Sequence, residues 1–477
     1  MRQDPPNILV LLPDQWRADG LSWLGHSVVD TPCIDQIASE GTTFTRAYSN
    51  CPVCIPARAC LMTGQSPNTV GRFGYRDGIR WNYDPSLVTV LRNAGYQTML
   101  SGKTHFSPPR LHLGFEQMAL YDNQRHHPGF TSDYDDWLAR QTGGQVLDTA
   151  QTLDSNSMIV EPWSHGEHLH PSTWTVTAAI DMLERRDPAR PFFLSMNFHR
   201  PHPPIDPPIE YWQRLEGVEM PPPVVGDWID ERYRERAVRI NPSCGTLPPG
   251  RLERARRGYF AQLMHLDFQI GRLMRWLQLR GMGDNLLVVF SSDHGEQLGD
   301  HHLYRKSTPM RGSLDIPMIV RPPKGTAHTA GQRCDRPTAL YDILPTCLDY
   351  AGVPIPDNVE AKSLAPLVSN PTSPWREVVH TEQVDGVMGP WQCLCDGRHK
   401  YIWITTTGQE FYFDLVADPD ECHNLAADPK HAGELEPWRS RLAEVLGGRP
   451  EDGFVKDGQL VPGNKTPLFR DRLLGDG

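Results

Sequence analysis

Residues Asn285-Leu286-Leu287-Val288-Val289-Phe290-Ser291, followed at once by Ser292-Asp293-His294-Gly295-Glu296, decide the fold class. A run that is apolar at both odd and even positions reads as a strand covered on both faces, the pattern of a parallel sheet between helices. It ends in an acid and an imidazole. The same arrangement recurs outward from it. Asn7 to Leu12 leads to Asp14 and Gln15, Tyr96 to Leu100 to Ser101-Gly102-Lys103-Thr104-His105, and Phe192 to Asn197 to Phe198-His199-Arg200-Pro201-His202. Ile316 to Val320 is a further strand, and Phe44 to Ser49 is extended. Helical patterning separates these strands at Cys33 to Glu40, Leu87 to Asn93 and Trp174 to Arg186, the last opening at Pro171 and Ser172. A long helix, in one piece or two, spans about Leu252 to Arg280 and stops at Gly281 to Gly283. The alternation predicts an α/β domain with a mostly parallel central sheet flanked by helices. Ligands then bind outside the carboxyl ends of the strands, where every one of these polar clusters sits.

A chain of 477 residues exceeds the usual single-domain length and predicts an appended unit. Asn370-Pro371-Thr372-Ser373-Pro374 marks the boundary, so residues 1–370 form the large α/β domain that carries these strand-end clusters. Glu377 to His380, His399 to Thr405 and Glu410 to Phe413, with a helix at Leu435 to Leu446, predict a small C-terminal antiparallel-sheet domain over 371–446. Residues 447–477 read as an extended tail. Its Phe454, Leu460, Val461, Leu468 and Phe469 are too sparse for a core of their own, so it packs across its own subunit or embraces a neighbour. A homodimer, with a tetramer of two dimers next, is the expected assembly.

The net charge of −11 argues against nucleic acid or an anionic membrane as partner, though a small site can still be locally positive. No cleavable targeting segment is visible in the sequence as given, and ten cysteines in so long a chain do not make a disulfide scaffold; both predict a cytoplasmic protein. Cys51 and Cys54 have the spacing of a redox or zinc pair, but no second close pair with good ligand spacing lies nearby.

The most specific local text is Cys54-Ile55-Pro56-Ala57-Arg58, continued by Ala59-Cys60-Leu61-Met62-Thr63-Gly64-Gln65-Ser66-Pro67. Here the chain resembles the type I sulfatases, within the alkaline phosphatase superfamily. In that family the cysteine of a C-x-P/A-x-R element is oxidised to formylglycine by a separate formylglycine-generating enzyme. The hydrated aldehyde carries two oxygens on one carbon. One attacks sulfur, and deprotonation of the other expels sulfate by C–O cleavage and restores the aldehyde.

The resemblance extends over roughly residues 5 to 430, including Tyr341-Asp342-Ile343-Leu344-Pro345-Thr346 and Asp414 to Glu421. It implies one divalent metal held by Asp14, Gln15, Asp293, His294 and the modified Cys54. Ca²⁺ comes first, with Mn²⁺ or Mg²⁺ as alternatives because Gln15 and His294 replace an aspartate and an asparagine of many members. It also implies catalytic roles for Arg58, Lys103, His105, His202 and Lys306. Arg58 orients the nucleophile, the two lysines hold sulfate oxygens, His202 protonates the leaving oxygen and His105 takes the proton of the second hydroxyl. The expected substrate is a small aryl or alkyl sulfate ester.

A phosphonate monoester or phosphodiester hydrolase built on the same formylglycine site is the nearest rival. Gln15 and Ala57 keep it open, and the lysine and histidine of the G-K-x-H loop, absent from that group, oppose it. A non-catalytic binder of sulfated ligands would need a broken chemical role, and none is seen. Candidates for the rim are Arg125-His126-His127, His165-Gly166-Glu167-His168, His301-His302 and Arg311, with Trp16 and Arg17 slightly ahead because they directly follow the ligands.

Overall fold

The computed structural model describes residues 5–83, 86–122 and 129–473. Its centre is an eight-stranded sheet. The strands are β1 (Asn7–Leu11), β2 (Thr42–Phe44), β3 (Gln97–Gly102), β4 (Gln117–Leu120), β5 (Phe192–Asn197), β6 (Leu286–Ser291), β7 (Met318–Arg321) and β8 (Gln332–Cys334). They lie in the order β4-β3-β5-β1-β6-β7-β2-β8. All run in one direction except β7, which is antiparallel to both neighbours.

The continuous apolar text of β1 and β6 follows from cover on both faces. Ile8, Val10, Leu287 and Val289 enter one core with helices Cys54–Thr63, Leu87–Asn93 and Ile343–Tyr350. Leu9, Leu11, Leu286, Val288 and Phe290 enter the other, with helices Pro32–Glu40, Pro171–Glu184 and Pro249–Leu279. The last of these is one continuous helix of 31 residues, which settles the one-or-two-piece question. Among the described residues no helix is long and apolar enough to cross a membrane.

A second sheet is a four-stranded antiparallel meander, β9 (Val379–Gln383), β10 (Trp391–Cys395), β11 (His399–Ile404) and β12 (Glu410–Asp414). The sequence reading lacked β10, whose Gln392 breaks the apolar pattern. That amide is buried because it donates to Glu382 at 3.1 Å and accepts from His380 at 2.8 Å, while Arg449 neutralises Glu382 at 2.8 Å. Ile402, Ile404, Phe411 and Phe413 share a core with Tyr48, Leu303 and Leu314. Tyr401, Trp403 and Tyr412 face the helix Ala432–Gly447.

The tail is not free. Phe454 is 1% exposed and meets the Trp403 ring edge-on at 5.8 Å. Further on, Phe73 N–H donates to Leu468 O at 2.9 Å and Arg470 N–H to Gly71 O at 2.8 Å. Arg470 also reaches Asp452 at 2.8 Å. The described part of this segment thus lies against residues of its own chain. Phe454→Ala is expected to destabilise the protein by about 3–5 kcal/mol, read as a lower urea midpoint at unchanged slope. A shift under about 1 kcal/mol would mean that the tail is only loosely attached.

Candidate functional site

The polar clusters follow β3, β5, β1 and β6, which are neighbours in that order, so their carboxyl ends converge on one place. Asp14, Arg58, Asp293 and His294 are fully or almost fully buried there, and Lys103 is 2% exposed. Gly102 makes the convergence possible. Its φ is +105°, and a Cβ on it would stand 2.0 Å from Asn197 O on the adjacent strand. The close approach allows Lys103 N–H to donate to that carbonyl at 2.7 Å, which turns the lysine into the site.

Cys54 is the first residue of the helix Cys54–Thr63, whose ten residues are all buried. The helix therefore points its positive end at the strand ends. Around the thiol, His294 Nε2 and Lys306 Nζ stand at 3.3 Å and Asp14 Oδ1 and Lys103 Nζ at 3.8 Å. Burial and Asp14 push the thiol up, but Lys103, Lys306 and His294 outweigh them and hold it well below its ordinary value.

Arg58, one turn along the same helix, lies beneath the acids. Its Nε donates to Asp293 Oδ2 at 3.0 Å, and Nη2 to Asp14 Oδ2 at 3.3 Å. Lys103 Nζ reaches the same Asp14 oxygen at 2.6 Å. The Oδ1 atoms of both acids are left facing His294 Nε2, at 3.6 and 3.8 Å. His294 Nδ1 lies 3.0 Å from Gly295 O; donation there leaves Nε2 with a lone pair, the usual support of a metal-binding imidazole. Gln15 donates its amide nitrogen to Glu296 and presents Oε1, which accepts from Lys306 at 3.0 Å.

Burial and the neighbouring Asp14 push the Asp293 carboxyl up, as crowded like charges must. Asp14, Cys54, Asp293 and His294 offer ligand atoms all within 4.8 Å of one another. This donor set fits one hard divalent cation, with Gln15 Oε1 beside it.

Beyond the cluster opens a cavity of about 680 Å³, lined by Cys54, Lys103, His105, His202 and Lys306 among others. His202 Nδ1 is 2.8 Å from Pro203 O, which leaves Nε2 to act. Burial, with Lys306 and Lys103, pulls this imidazole well below its ordinary value. Several non-glycine residues here have left-handed backbones: Gln15 at φ 71°, His105 at 60°, Arg305 at 65° and Ser307 at 73°. Such conformations persist only where surrounding bonds impose them. For His105 the bond is its N–H to Asp122 Oδ2 at 2.7 Å.

All the residues singled out from sequence as ligands or catalytic groups thus meet at this one place. The rim candidates do not. Trp16 is fully buried against Phe290, and Arg17 pairs inward with Asp19 and Asp300 at 2.7 and 2.8 Å. His301 is 2% exposed and takes Gly226 N–H, and Arg311 binds Asp420. His165 to His168 and His302 lie outside the cavity lining, and Arg125-His126-His127 fall outside the described residues.

The walls come instead from Tyr75, Asp122, Asp154 to Asn156, His199, Ser243, Arg305 and Asp385 to Val387. His199 and Arg305 had a signal, since each adjoins a motif already read. Asp385 had none, because the C-terminal sheet delivers it from far along the chain. His199 is 4% exposed with neither ring nitrogen hydrogen-bonded among the described residues, so burial, Lys103 and Arg200 pull it well below its ordinary value.

The model of the family described as Sulfatase matches residues 6–353, most of the chain and every side chain of the cluster. The chain belongs to the sulfatase family. A second model, the C-terminal region of N-sulphoglucosamine sulphohydrolase, matches residues 299–446. The sulfatase is 37% identical to an arylsulfatase of Clostridium perfringens over 96% of this chain and 98% of that protein. It is 30% identical to a choline-sulfatase of Rhizobium meliloti over 90% and 84%. The crystal structure of a phosphonate monoester hydrolase of Agrobacterium radiobacter superposes with a TM-score of 0.78 at 24% identity, over 97% and 100% of the two chains. That likeness is one of fold. By its family the sulfatase is an enzyme, a hydrolase of sulfate esters of the arylsulfatase type.

Proposed function

We propose that this sulfatase hydrolyses the sulfate ester of a small phenol or alcohol, with formylglycine in place of Cys54 and one divalent cation, Ca²⁺ before Mn²⁺ or Mg²⁺. The observation that carries the reading is Cys54 itself. Its Sγ marks where the formylglycine oxygens would stand, at a helix N-terminus with Lys103, Lys306, Asp14 and His294 all within 3.8 Å. When bound, the metal would polarise the sulfuryl group and lower the pKa of the attacking hydroxyl.

The protein groups divide the remaining work. Asp14, Asp293, His294 and Gln15 hold the cation, and Arg58 keeps the two acids in place from below. Lys103 and Lys306 bind the sulfate oxygens and offset the charge that grows on them. His202 Nε2 gives its proton to the leaving oxygen. Burial, with the charges of Lys306 and Lys103, keeps this imidazole neutral in the bare site, and the single negative charge of an entering sulfate ester offsets part of the lysines' effect, which favours its charging when the substrate is there. His105 takes the proton whose loss releases sulfate.

The same site on a phosphonate monoester or phosphodiester remains the alternative through Gln15. Lys103 and His105 both line the cavity and favour the sulfate ester.

Maturation falls to a formylglycine-generating enzyme. Cys54 is 1% exposed, so that enzyme must act before the strand ends close over it. Mass spectrometry of the denatured, proteolysed protein is expected to find Cys54 as an aldehyde or its hydrate, in a fraction that tracks specific activity. Fully unmodified cysteine in an active preparation would sink the mechanism. A homodimer, with a tetramer of two dimers next, stays the assembly we expect. Light scattering of the intact chain decides it.

A further inference from the structure

We infer that Arg305 binds a second anionic group, a carboxylate or sulfate, on the alcohol part of the substrate, a deepening of the sulfate-ester reading on which it rests. A sulfate group occupies only a corner of a cavity of about 680 Å³. The remainder must hold the alcohol, and its walls state what that alcohol carries.

Among the described residues three lysine or arginine side chains line the cavity, and two are engaged. Lys103 pairs with Asp14 at 2.6 Å, and Lys306 donates to Gln15 Oε1 at 3.0 Å. The Arg305 guanidinium has neither an ion pair nor a hydrogen bond among the described residues. Its backbone, by contrast, is clamped. The residue sits at φ 65°, its N–H donates to Glu296 Oε1, and its carbonyl accepts from Gln297 N–H at 2.8 Å. These bonds hold it one position before Lys306, so the lysine that reaches the nucleophile and the free guanidinium share one rigid turn. Burial pulls the guanidinium's pKa down while Glu296 and Asp154 oppose, which fits a partly desolvated charge.

The carboxylates along the wall are already used. Asp154 accepts from Asn241 at 3.2 Å and from Asn156 N–H at 2.8 Å. Asp385 accepts from Tyr75 N–H at 2.9 Å and from Gln383. A partly buried cation that no carboxylate contacts is costly, Glu296 and Asp154 offset that cost only from a distance, and an arriving anion in direct contact recovers more of it. The planar fork of arginine matches two oxygens of a carboxylate or sulfate.

The test compares phenyl sulfates that differ only in one ring substituent: a carboxylate, its carboxamide, a second sulfate and a trimethylammonium group. For the intact enzyme, kcat/KM for the carboxylate or the bis-sulfate is expected to exceed that for the carboxamide by about tenfold or more, and which of the two leads identifies the anion. In Arg305→Gln this ratio is expected to fall towards one, and Arg305→Lys is expected to keep part of it. A ratio near one in the intact enzyme, or preference for trimethylammonium, overturns the inference without need of any variant. A ratio that survives in Arg305→Gln overturns the assignment to this residue. Cleavage of none of the sulfates but of the matching phosphonate esters would refute the sulfate-ester reading alone, since the ratio between carboxylate and carboxamide is then read on that series.

Discussion

Lys103→Ala is expected to lower kcat for a sulfate ester by roughly 10²–10³-fold, about 2.7–4 kcal/mol of transition-state stabilisation. The group removed is a buried ammonium 3.8 Å from the nucleophile position and aimed at developing oxygen charge. His105→Ala should fall in the same class, since sulfate leaves only when the second hydroxyl loses its proton. Folding should be affected far less. Asp14 keeps Arg58 at 3.3 Å when Lys103 is gone, so no buried carboxylate is stranded. The measurement is steady-state kinetics on nitrophenyl sulfate, alongside urea unfolding of the same preparations. Unchanged turnover in the double variant would move the assignment to the phosphonate-ester reading.

The effect of His202→Ala depends on what departs. An alkoxide or unactivated phenoxide needs its proton in the transition state, and loss of a general acid there costs about 10²–10⁴-fold. A nitrophenoxide hardly needs that proton, so its rate is expected to change little by comparison. Plotting log kcat/KM against leaving-group pKa should therefore give a much steeper line for the variant than for the intact enzyme. Parallel lines would place His202 on the sulfate oxygens instead. The Nδ1 contact with Pro203 O aims Nε2 into the cavity, which either role requires; the slope separates them.

The layered α/β architecture was legible in the sequence because its signal is local. A strand covered on both faces must be apolar at consecutive positions, and Asn7 to Leu12 and Asn285 to Ser291 are. The end of such a strand is where the chain leaves the core, and Asp14, Lys103, His202 and Asp293 each follow one within a few residues. Cys54 and Arg58 were readable for a different reason: Cys54-Ile55-Pro56-Ala57-Arg58 resembles a short element of the type I sulfatases, and such an element is continuous in sequence.

Tertiary structure alone decided what depends on which elements become neighbours. Strand order brought four loops to one point, and Gly102 earns its place only because Asn197 O lies where a Cβ would be. Trp391–Cys395 became a buried strand because Arg449, some fifty residues on, neutralises the Glu382 that satisfies Gln392. The tail's composition says that it must pack on something but not on what, and Trp403 and Phe73 are surfaces that its described part meets. The same limit applies to Trp16 and Arg17. Adjacency to a ligand in sequence placed them near the metal, whereas the direction of their side chains, one into the core and one into ion pairs with Asp19 and Asp300, was set by what packs behind the sheet. Sequence carries the chemistry of each strand end; the cavity wall that chooses the alcohol is assembled from segments hundreds of residues apart, and only the packed structure brings them together.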